Sequence, residues 1–368
     1  MKILYLTNIP SPYRVDFFNE LGKYCELTVL FERKSAGDRD KRWKIDEFKY
    51  FRYIFLKGKN IGQDASLCPG VVSYLKREYD AIILGGYSSP TYMIAIDYMQ
   101  IRGIPFFLNA DGGSVKGDSR LRYLIKRHYI GSASAWLSTG ERTNQYLMYY
   151  GARREAIYHY PFTSVREAEL YCPDKEEKNK NKEQILAGNK KIILSVGRFL
   201  PLKGIELLIK ASGQLCGKAD VYIVGGKPDE AYLRLQREQG ASNVHFIDFM
   251  EKEKLRAYYL AADVFVFPTL DDVWGLVLNE AMSFGLPCVT SKWANASHEL
   301  TEDGKDGYLI DPRDVNDMAE KLELLIADDQ LRSRMGERAY EKIKNFTIEK
   351  MAERHRDIIK GGIWKCKR

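Results

Sequence analysis

One kind of apolar run constrains this chain more than any other feature. Ala81-Ile82-Ile83-Leu84, Lys191-Ile192-Ile193-Leu194-Ser195-Val196-Gly197 and Val264-Phe265-Val266-Phe267 are short and continuous rather than alternating, and glycine or proline closes each. A strand that is apolar on both faces needs cover on both, which a parallel sheet between helix layers gives and a half-solvated antiparallel sheet does not. Similar runs recur through the chain. In the first half Lys2–Thr7, Glu26–Phe31, Phe51–Leu56, Ile104–Leu108 and Ala135–Ser138 are predicted strands, with a helix over Tyr13–Leu21 after the stiff loop Asn8-Ile9-Pro10-Ser11-Pro12. In the second half Asp220–Val224, Val244–Ile247 and Pro287–Thr290 join the set, and helical spacing lies between them. The alternation predicts an α/β fold of doubly wound parallel sheets, whose ligands lie beyond the carboxyl ends of the strands.

A chain of 368 residues exceeds one ordinary core, so two domains are expected. Residues 173–190 are charged and poor in apolar side chains, the pattern of a linker. The predicted division is a first domain over 1–172, the linker, a second domain over 191–345, and a last helix within 346–368 that returns to the first domain. The net charge of +7 is uneven. Residues 1–165 carry 24 Lys and Arg against 16 Asp and Glu, whereas the remainder carries 33 against 34. An excess confined to one domain predicts an anionic surface nearby. Within that domain Ser119–Ile130 interleaves Arg120, Arg122, Lys126 and Arg127 with Leu121, Leu124 and Ile125. Such a helix lies on anionic lipid or turns its apolar side to the core. No nucleic-acid recognition motif accompanies the charge. The N-terminal apolar stretch soon meets Pro10 and Arg14 and is expected as a strand rather than a signal peptide, and no run is long enough to span a membrane. Six scattered cysteines without paired or ligand spacing predict a reducing, cytoplasmic setting and no metal site.

Two stretches of the second half can carry chemistry. In Gly197-Arg198-Phe199-Leu200-Pro201-Leu202-Lys203-Gly204 a tight loop follows a buried strand, and its two cations can converge on one anion, a diphosphate being the natural guest. In Asp272-Val273-Trp274-Gly275-Leu276-Val277-Leu278-Asn279-Glu280 an acidic loop leads into a helix whose N-terminus favours an anion, with a second carboxylate about two turns on. Carboxylate oxygens each accept more than one hydrogen bond and suit ribose hydroxyls. Taken singly, Arg198 and Lys203 are also plain surface cations, and Glu280 a solvated helical residue. Glycine pairs after strands, Gly85-Gly86 and Gly225-Gly226, are either ligand-facing or ordinary turns. The same holds for the segments around Asn8 and Asp111-Gly112-Gly113.

Several motifs in one order carry a resemblance. Val196-Gly197-Arg198 with Lys203-Gly204, Ala262-Asp263-Val264-Phe265-Val266-Phe267-Pro268, Gly275-Leu276 with Glu280-Ala281-Met282 and Gly285-Leu286-Pro287, and Glu299-Leu300 with Gly304 and Gly307-Tyr308-Leu309-Ile310 together resemble the family-4 retaining glycosyltransferases of GT-B fold. The opening Ile9-Pro10-Ser11-Pro12-Tyr13-Arg14 with Phe17-Phe18 is similar to members that build bacterial surface and capsular polysaccharides. The resemblance implies two Rossmann-like domains facing a central cleft. It further implies a nucleotide-diphosphate sugar held by the second domain, a saccharide or lipid-linked acceptor held by the first, and transfer of a hexose-type sugar with retention and without an essential metal. By the same resemblance Arg198 and Lys203 hold the diphosphate, Gly275, Leu276 and Val277 receive a phosphate, Glu280 binds ribose and Asp272 touches the donor sugar. Gly197 and Gly225 line the donor loops, and Phe246-Ile247-Asp248 lies where the base is contacted. Asn8, Pro10, Ser11, Tyr13 and Arg14 form the acceptor-side loop. Asp111 stands where many relatives have a histidine and is a candidate sugar or acceptor contact, placed with Arg198, Lys203 and Asp272 as catalytic candidates.

Asp272 departs from the family's glutamate by one methylene, ~1.5 Å of reach. No cofactor is expected beyond the donor itself, a UDP-sugar being favoured over a GDP-sugar. The expected location is cytoplasmic, with peripheral contact on the inner face of the cell membrane through Arg120, Arg122, Lys126 and Arg127. Two other functions stay open: a non-catalytic subunit that binds a nucleotide sugar, and a sugar-nucleotide epimerase on a related fold. A dehydrogenase is disfavoured, because no G-x-G-x-x-G follows the first strand.

Overall fold

A computed structural model describes residues 1–35, 47–61, 65–115 and 117–361. The chain divides into two compact units: residues 1–163 with 347–368, and residues 164–346.

In unit 1 the strands are β1 (Lys2–Thr7), β2 (Glu26–Phe31), β3 (Arg52–Phe55), β4 (Lys59–Ile61), β5 (Ala65–Leu67), β6 (Ala81–Leu84), β7 (Phe107–Ala110), β8 (Ala135–Ser138) and β9 (Ile157–His159). Its helices are α1 (Pro12–Gly22), α2 (Pro90–Ile101), α3 (Arg120–Gly131) and α4 (Glu141–Tyr149). Seven strands form one sheet in the order β3-β2-β1-β6-β7-β8-β9, every pair parallel, and β4 and β5 make a separate antiparallel hairpin.

In unit 2 helix α5 (Lys175–Gln184) precedes β10 (Lys191–Val196), α6 (Ile205–Gln214), β11 (Ala219–Val224), α7 (Glu230–Glu238), β12 (Val244–Ile247), α8 (Lys252–Ala261) and β13 (Val264–Phe267). Then follow α9 (Leu276–Ser283), β14 (Cys288–Ser291), α10 (Asn295–Leu300), β15 (Gly307–Ile310), α11 (Val315–Ala327) and α12 (Asp329–Ile343). The six strands run β12-β11-β10-β13-β14-β15, all parallel. The order reverses between β10 and β13, and in unit 1 between β1 and β6; at such a reversal the flanking loops part and leave a crevice.

The central strands of both sheets are buried on both faces, as their continuous apolar sequences require. In unit 2 Ile193, Val221, Ile223, Val264, Val266 and Val289 meet Leu208, Ile209, Tyr232, Met318 and Leu322 from α6, α7 and α11. On the opposite face Phe265 meets Tyr259 of α8. Each such side chain, fully buried, contributes about 1.5–3 kcal/mol. In unit 1 helix α1 buries Val15, Phe17, Phe18 and Leu21. The last helix, α13 (Ile348–Lys360), packs on α1 within that unit, with the His355 ring 4.7 Å from Phe17.

Prolines explain where element ends depart from the sequence reading. The strand expected from Ile104 starts at Phe107, beyond Pro105, and the one expected from Pro287 starts at Cys288, since proline cannot donate to the ladder. Helix α1 begins at Pro12, a residue suited to the first turn. The basic loop after β2 lies largely outside the described residues. The five cysteines among the described residues are free thiols.

The segment expected as a linker, 173–190, is corrected: most of it is helix α5, packed on α8. The boundary with unit 1 falls at Thr163–Ser164 instead. The reason is Asp263, 4% exposed at the start of β13. Its Oδ2 accepts from Lys182 Nζ at 2.9 Å and from the Ile192 backbone N–H at 2.9 Å, while Lys178 Nζ lies 3.7 Å and Arg332 Nε 4.0 Å from Oδ1. The lysines of a low-apolar helix therefore turn inward onto one carboxylate. Burial alone would raise that carboxyl, but Lys178, Lys182 and the Ile192 N–H outweigh it and hold it below the usual carboxylate range. Asp263→Asn leaves the cations without their counter-charge and is expected to cost about 3–5 kcal/mol in urea unfolding at pH 7. Because the folded pKa is depressed, the stabilisation is present above the ordinary value of about 3.9 and is lost as pH falls through the folded one. The gap between the two proteins should close below about pH 4.

Candidate functional site

The carboxyl edge of the unit 2 sheet gathers the donor-side candidates on loops that are tied to one another. The loop after β10 is fastened to the loop after β13: Leu270 N–H donates to the Leu202 carbonyl at 2.7 Å, and Thr269 Oγ1 donates to the same carbonyl at 2.9 Å. Across this join Lys203 and Asp272 form an ion pair in which each side chain keeps about a fifth of its exposure. Arg198 is exposed on the same loop. Gly225, at φ +148°, brings its backbone against the Gly197 carbonyl and Arg198 N, so a side chain there would split the loops after β10 and β11. Asp248, on the loop after β12, is exposed.

Helix α9 starts from Gly275 at φ +107°, a left-handed turn in which an added Cβ would stand 2.5 Å from the Phe267 ring. No side chain caps this N-terminus and no acidic residue occupies its first turn, so its positive end stays available to an anion. Leu276 and Val277 are half-buried. Glu280, further along α9, accepts from Ser164 Oγ at 3.1 Å and from Tyr259 OH at 3.0 Å. Burial pushes its carboxyl above the usual range, against an opposing pull from Lys252. It borders a cavity of about 140 Å³ lined also by Lys252, Arg256, Tyr259, Ser283 and Phe284.

Residues that the motif reading missed hold the Asp272 loop in shape. Asp272 pairs by a backbone bridge with Ala294, Asn295 Nδ2 donates to the Val273 carbonyl at 2.8 Å, and the Ala296 N–H donates to the Trp274 carbonyl at 3.2 Å. The indole N–H of Trp274, 2% exposed, donates to Asn279 Oδ1 at 2.9 Å, and Asn279 is fully buried. An asparagine in the middle of an apolar helix face was the available signal for this support, since buried amides are hydrogen-bonded.

In unit 1 the acceptor-side candidates separate. Asn8 is exposed and accepts from the Ile9 N–H at 2.8 Å, whereas Pro10 and Ser11 are buried. Tyr13 is half-buried with its ring 5.7 Å from Phe162. Arg14 is corrected as a substrate-facing residue: it is 4% exposed and its guanidinium is ion-paired with Asp111 and 3.4 Å from Tyr5 OH. Asp111 also accepts from Asn109 Nδ2 at 2.7 Å and Tyr160 OH at 2.8 Å, so both of its oxygens are engaged inside the unit. Held by these three partners, the carboxylate anchors the start of the loop after β7 while its side chain keeps about a quarter of its exposure.

On α3, Leu121, Leu124 and Ile125 are 70%, 50% and 42% exposed and only Ile130 is buried, so the core-facing alternative for the first three falls. Arg120, Arg122 and Arg127 are exposed beside them. Lys126 is corrected: it turns inward, its Nζ 2.9 Å from Asp118 and 3.3 Å from Tyr150 OH. Among the described residues no helix is long and apolar enough to cross a membrane, and no group of three His, Cys, Asp or Glu is placed to hold a metal ion.

The two parallel-sheet units are those of the GT-B fold. The likeness extends over whole chains. A structure of HepE from Anabaena with UDP and glucose superposes with a TM-score of 0.76 at 19% identity, covering 98% of this chain and 100% of that one. A glycosyltransferase from Rickettsia africae superposes with a TM-score of 0.78 at 15% identity, covering 100% and 99%. Residues 176–342 match the model of the family "Glycosyl transferases group 1", a span that lies within unit 2. Among sequence relatives, the D-inositol 3-phosphate glycosyltransferase of Corynebacterium diphtheriae is 29% identical over 251 residues, 64% of this chain. The chain spans 58% of that relative and 45% of its counterpart in Corynebacterium efficiens, less than two thirds of either.

Asn279→Ala removes the acceptor of a buried indole N–H and is expected to cost about 1–3 kcal/mol. Urea unfolding measures the loss, and a variant as stable as the unmodified protein would show that this bond does not hold the turn into α9.

Proposed function

We propose that this protein transfers a hexose-type sugar from a nucleotide-diphosphate sugar, a UDP-sugar by preference, to a saccharide acceptor with retention of anomeric configuration. The observation that carries the reading is the convergence, at the β10/β13 reversal of unit 2, of Lys203, the uncapped start of α9 and the Asp272 carboxylate, with Glu280 further along the same helix. A diphosphate meets Lys203, Arg198 and the helix N-terminus, a ribose meets Glu280 beside the 140 Å³ cavity, and the sugar meets Asp272. The family match over 176–342 and the glycosyltransferase names of the relatives support the reaction class, and the UDP and glucose of the Anabaena structure support the donor class.

In the chemistry we assign, the acceptor hydroxyl attacks C1 on the face the diphosphate leaves. The C1–O bond to phosphate breaks as the new C1–O bond forms. The hydroxyl proton passes to the departing phosphate oxygen. Lys203, Arg198 and the helix dipole stabilise the charge that develops there, so no metal is required of the residues present. For this to occur Lys203 must exchange part of its pairing with Asp272 for phosphate, which places Asp272 beside the bond that breaks.

For the acceptor we propose a lipid-linked saccharide of surface-polysaccharide assembly, reached at an anionic membrane through α3. Its exposed Leu121, Leu124 and Ile125 and exposed Arg120, Arg122 and Arg127 give the apolar and cationic parts that such a surface takes. The relatives' name makes inositol phosphate the competing acceptor class.

Hydrolysis and transfer across UDP-, GDP-, ADP- and TDP-sugars, with the product anomer read by NMR, tests the reading. One selective donor and a retained anomer are expected, and an inverted product rejects the mechanism. Arg198→Ala and Lys203→Ala should each weaken UDP binding about 10- to 150-fold, the equivalent of one charge-assisted bond. Unmodified protein should float with phosphatidylglycerol vesicles, and the Arg120→Gln/Arg122→Gln/Arg127→Gln variant should not. Equal flotation of the two sinks the membrane assignment.

A further inference from the structure

The nine-residue stretch from Asp111 to Ser119 links β7 to α3 and contains Gly112, Gly113 and Gly117. A loop so rich in glycine has many backbone conformations, and its shape must be imposed from outside. Its first end is imposed by Arg14, Asn109 and Tyr160 on Asp111. Its middle meets an aromatic wall: an added Cβ at Gly113 would stand 2.5 Å from the Tyr146 ring, and Tyr146 OH is 2.6 Å from the OH of Tyr87, the residue directly after the Gly85-Gly86 pair that follows β6. Its far end is held by Asp118, whose side chain is 3% exposed and accepts from both Tyr150 OH and Lys126 Nζ. Those two bonds hold the Asp118 carboxyl below the usual carboxylate range. Lys126 also sits 5.0 Å from the Tyr150 ring centre and 5.9 Å from that of Tyr146. One ammonium thus braces the carboxylate and both rings that shape the loop.

We infer that Lys126 is a positioning residue for the acceptor: through Asp118 and the Tyr146–Tyr150 wall it fixes residues 111–115 and 117–119 at the carboxyl edge of the unit 1 sheet. This rests on the reading that the acceptor is held by unit 1. It divides the cations of α3 by task. Arg120, Arg122 and Arg127 face outward, and Lys126 works inward on the loop. A Lys126→Met chain keeps the apolar stem and loses the charge, and Asp118 is then left buried without its cation.

The test compares the unmodified protein with Lys126→Met, Lys126→Arg, Asp118→Asn and the Lys126→Met/Asp118→Asn double variant. Transfer is measured into a total lipid extract of the source cells and into D-inositol 3-phosphate, alongside donor hydrolysis without acceptor and flotation with phosphatidylglycerol vesicles. Lys126→Met should lower transfer kcat/KM about tenfold or more while donor hydrolysis and UDP affinity stay within twofold, and flotation should be unchanged. Lys126→Arg should recover most of the transfer. The double variant should be no worse than the worse single one, because both residues act as one unit. The assignment is overturned if Lys126→Met transfers normally, if transfer and hydrolysis fall together as a general loss of folding would make them, if the single losses multiply, or if flotation falls as it does for the arginine variant. Absence of transfer by the unmodified protein to either acceptor, with hydrolysis retained, removes the acceptor reading itself and the role of Lys126 with it. If Lys126→Met does not fold, Asp118→Asn and Lys126→Arg decide by the same comparison.

Discussion

A parallel sheet covered by helices on both faces has little room for polar chemistry except at the ends of its strands, and both units of this chain obey that restriction. Every side chain of β6 and of β13 is buried, so neither strand can offer a functional group sideways. The polar residues leave the sheet only where the strands stop. At the reversal between β10 and β13 two adjacent strands send their loops apart, and those loops are then sewn together by the Leu202 carbonyl, which accepts from both Thr269 and Leu270. Lys203 and Asp272 face each other because the loops that carry them are joined, not because the sequence brings them close. The glycine that starts α9 belongs to the same arrangement, since only a residue without a side chain lets the turn pass the Phe267 ring.

Charge is handled inside each unit by pairing, and the depth of the pair decides what it does. Asp263, Arg14 and Asp118 are nearly inaccessible and each organises backbone: the start of β10 with α5, the link from α1 to β7, and the loop into α3. Breaking such a pair leaves an uncompensated buried charge, which costs far more than the pair itself contributes over an apolar replacement. Lys203 and Asp272 keep about a fifth of their exposure, enough for an anion to compete for the lysine. The same ion-pair chemistry therefore anchors structure in one place and remains exchangeable in the other.

The fold was largely legible because burial on both faces writes itself into composition. β2, β6, β8, β12 and β13 begin and end where their apolar runs do. Elements whose stability comes from elsewhere were not legible. Helix α5 has almost no apolar residue, and its place depends on lysines reaching Asp263, a contact 81 residues away that no local pattern encodes. β9 and the β4–β5 hairpin are three-residue strands at an edge or apart from the main sheet, too short to show a period. The candidate site residues followed the same division. Lys203, Gly275 and Glu280 stand on loops and a helix start that their neighbours in sequence define. Arg14 was read as part of the acceptor-side loop and Lys126 as an outward cation of α3, and only the tertiary partners Asp111 and Asp118 turn them inward. Asn279 accepts from the Trp274 indole and Asn295 donates to the Val273 carbonyl, roles that leave little trace in the order of residues.

Glu280 shows why partnership matters more than charge for a carboxylate proposed to bind a ligand. Its neighbours within hydrogen-bond distance are hydroxyls, Ser164 and Tyr259, rather than the cations that hold Asp263. A carboxylate neutralised by lysine would lose its partner whenever a neutral ligand arrived, and the exchange would be unfavourable. A carboxylate served by hydroxyls has one bond on each oxygen and a lone pair left on each. A vicinal diol can fill both without displacing either donor. The raised pKa that burial gives Glu280 points the same way, because further hydrogen bonds to the ionised form return what the loss of water removed. In the proposed site a ribose is then favoured over a second phosphate at this position.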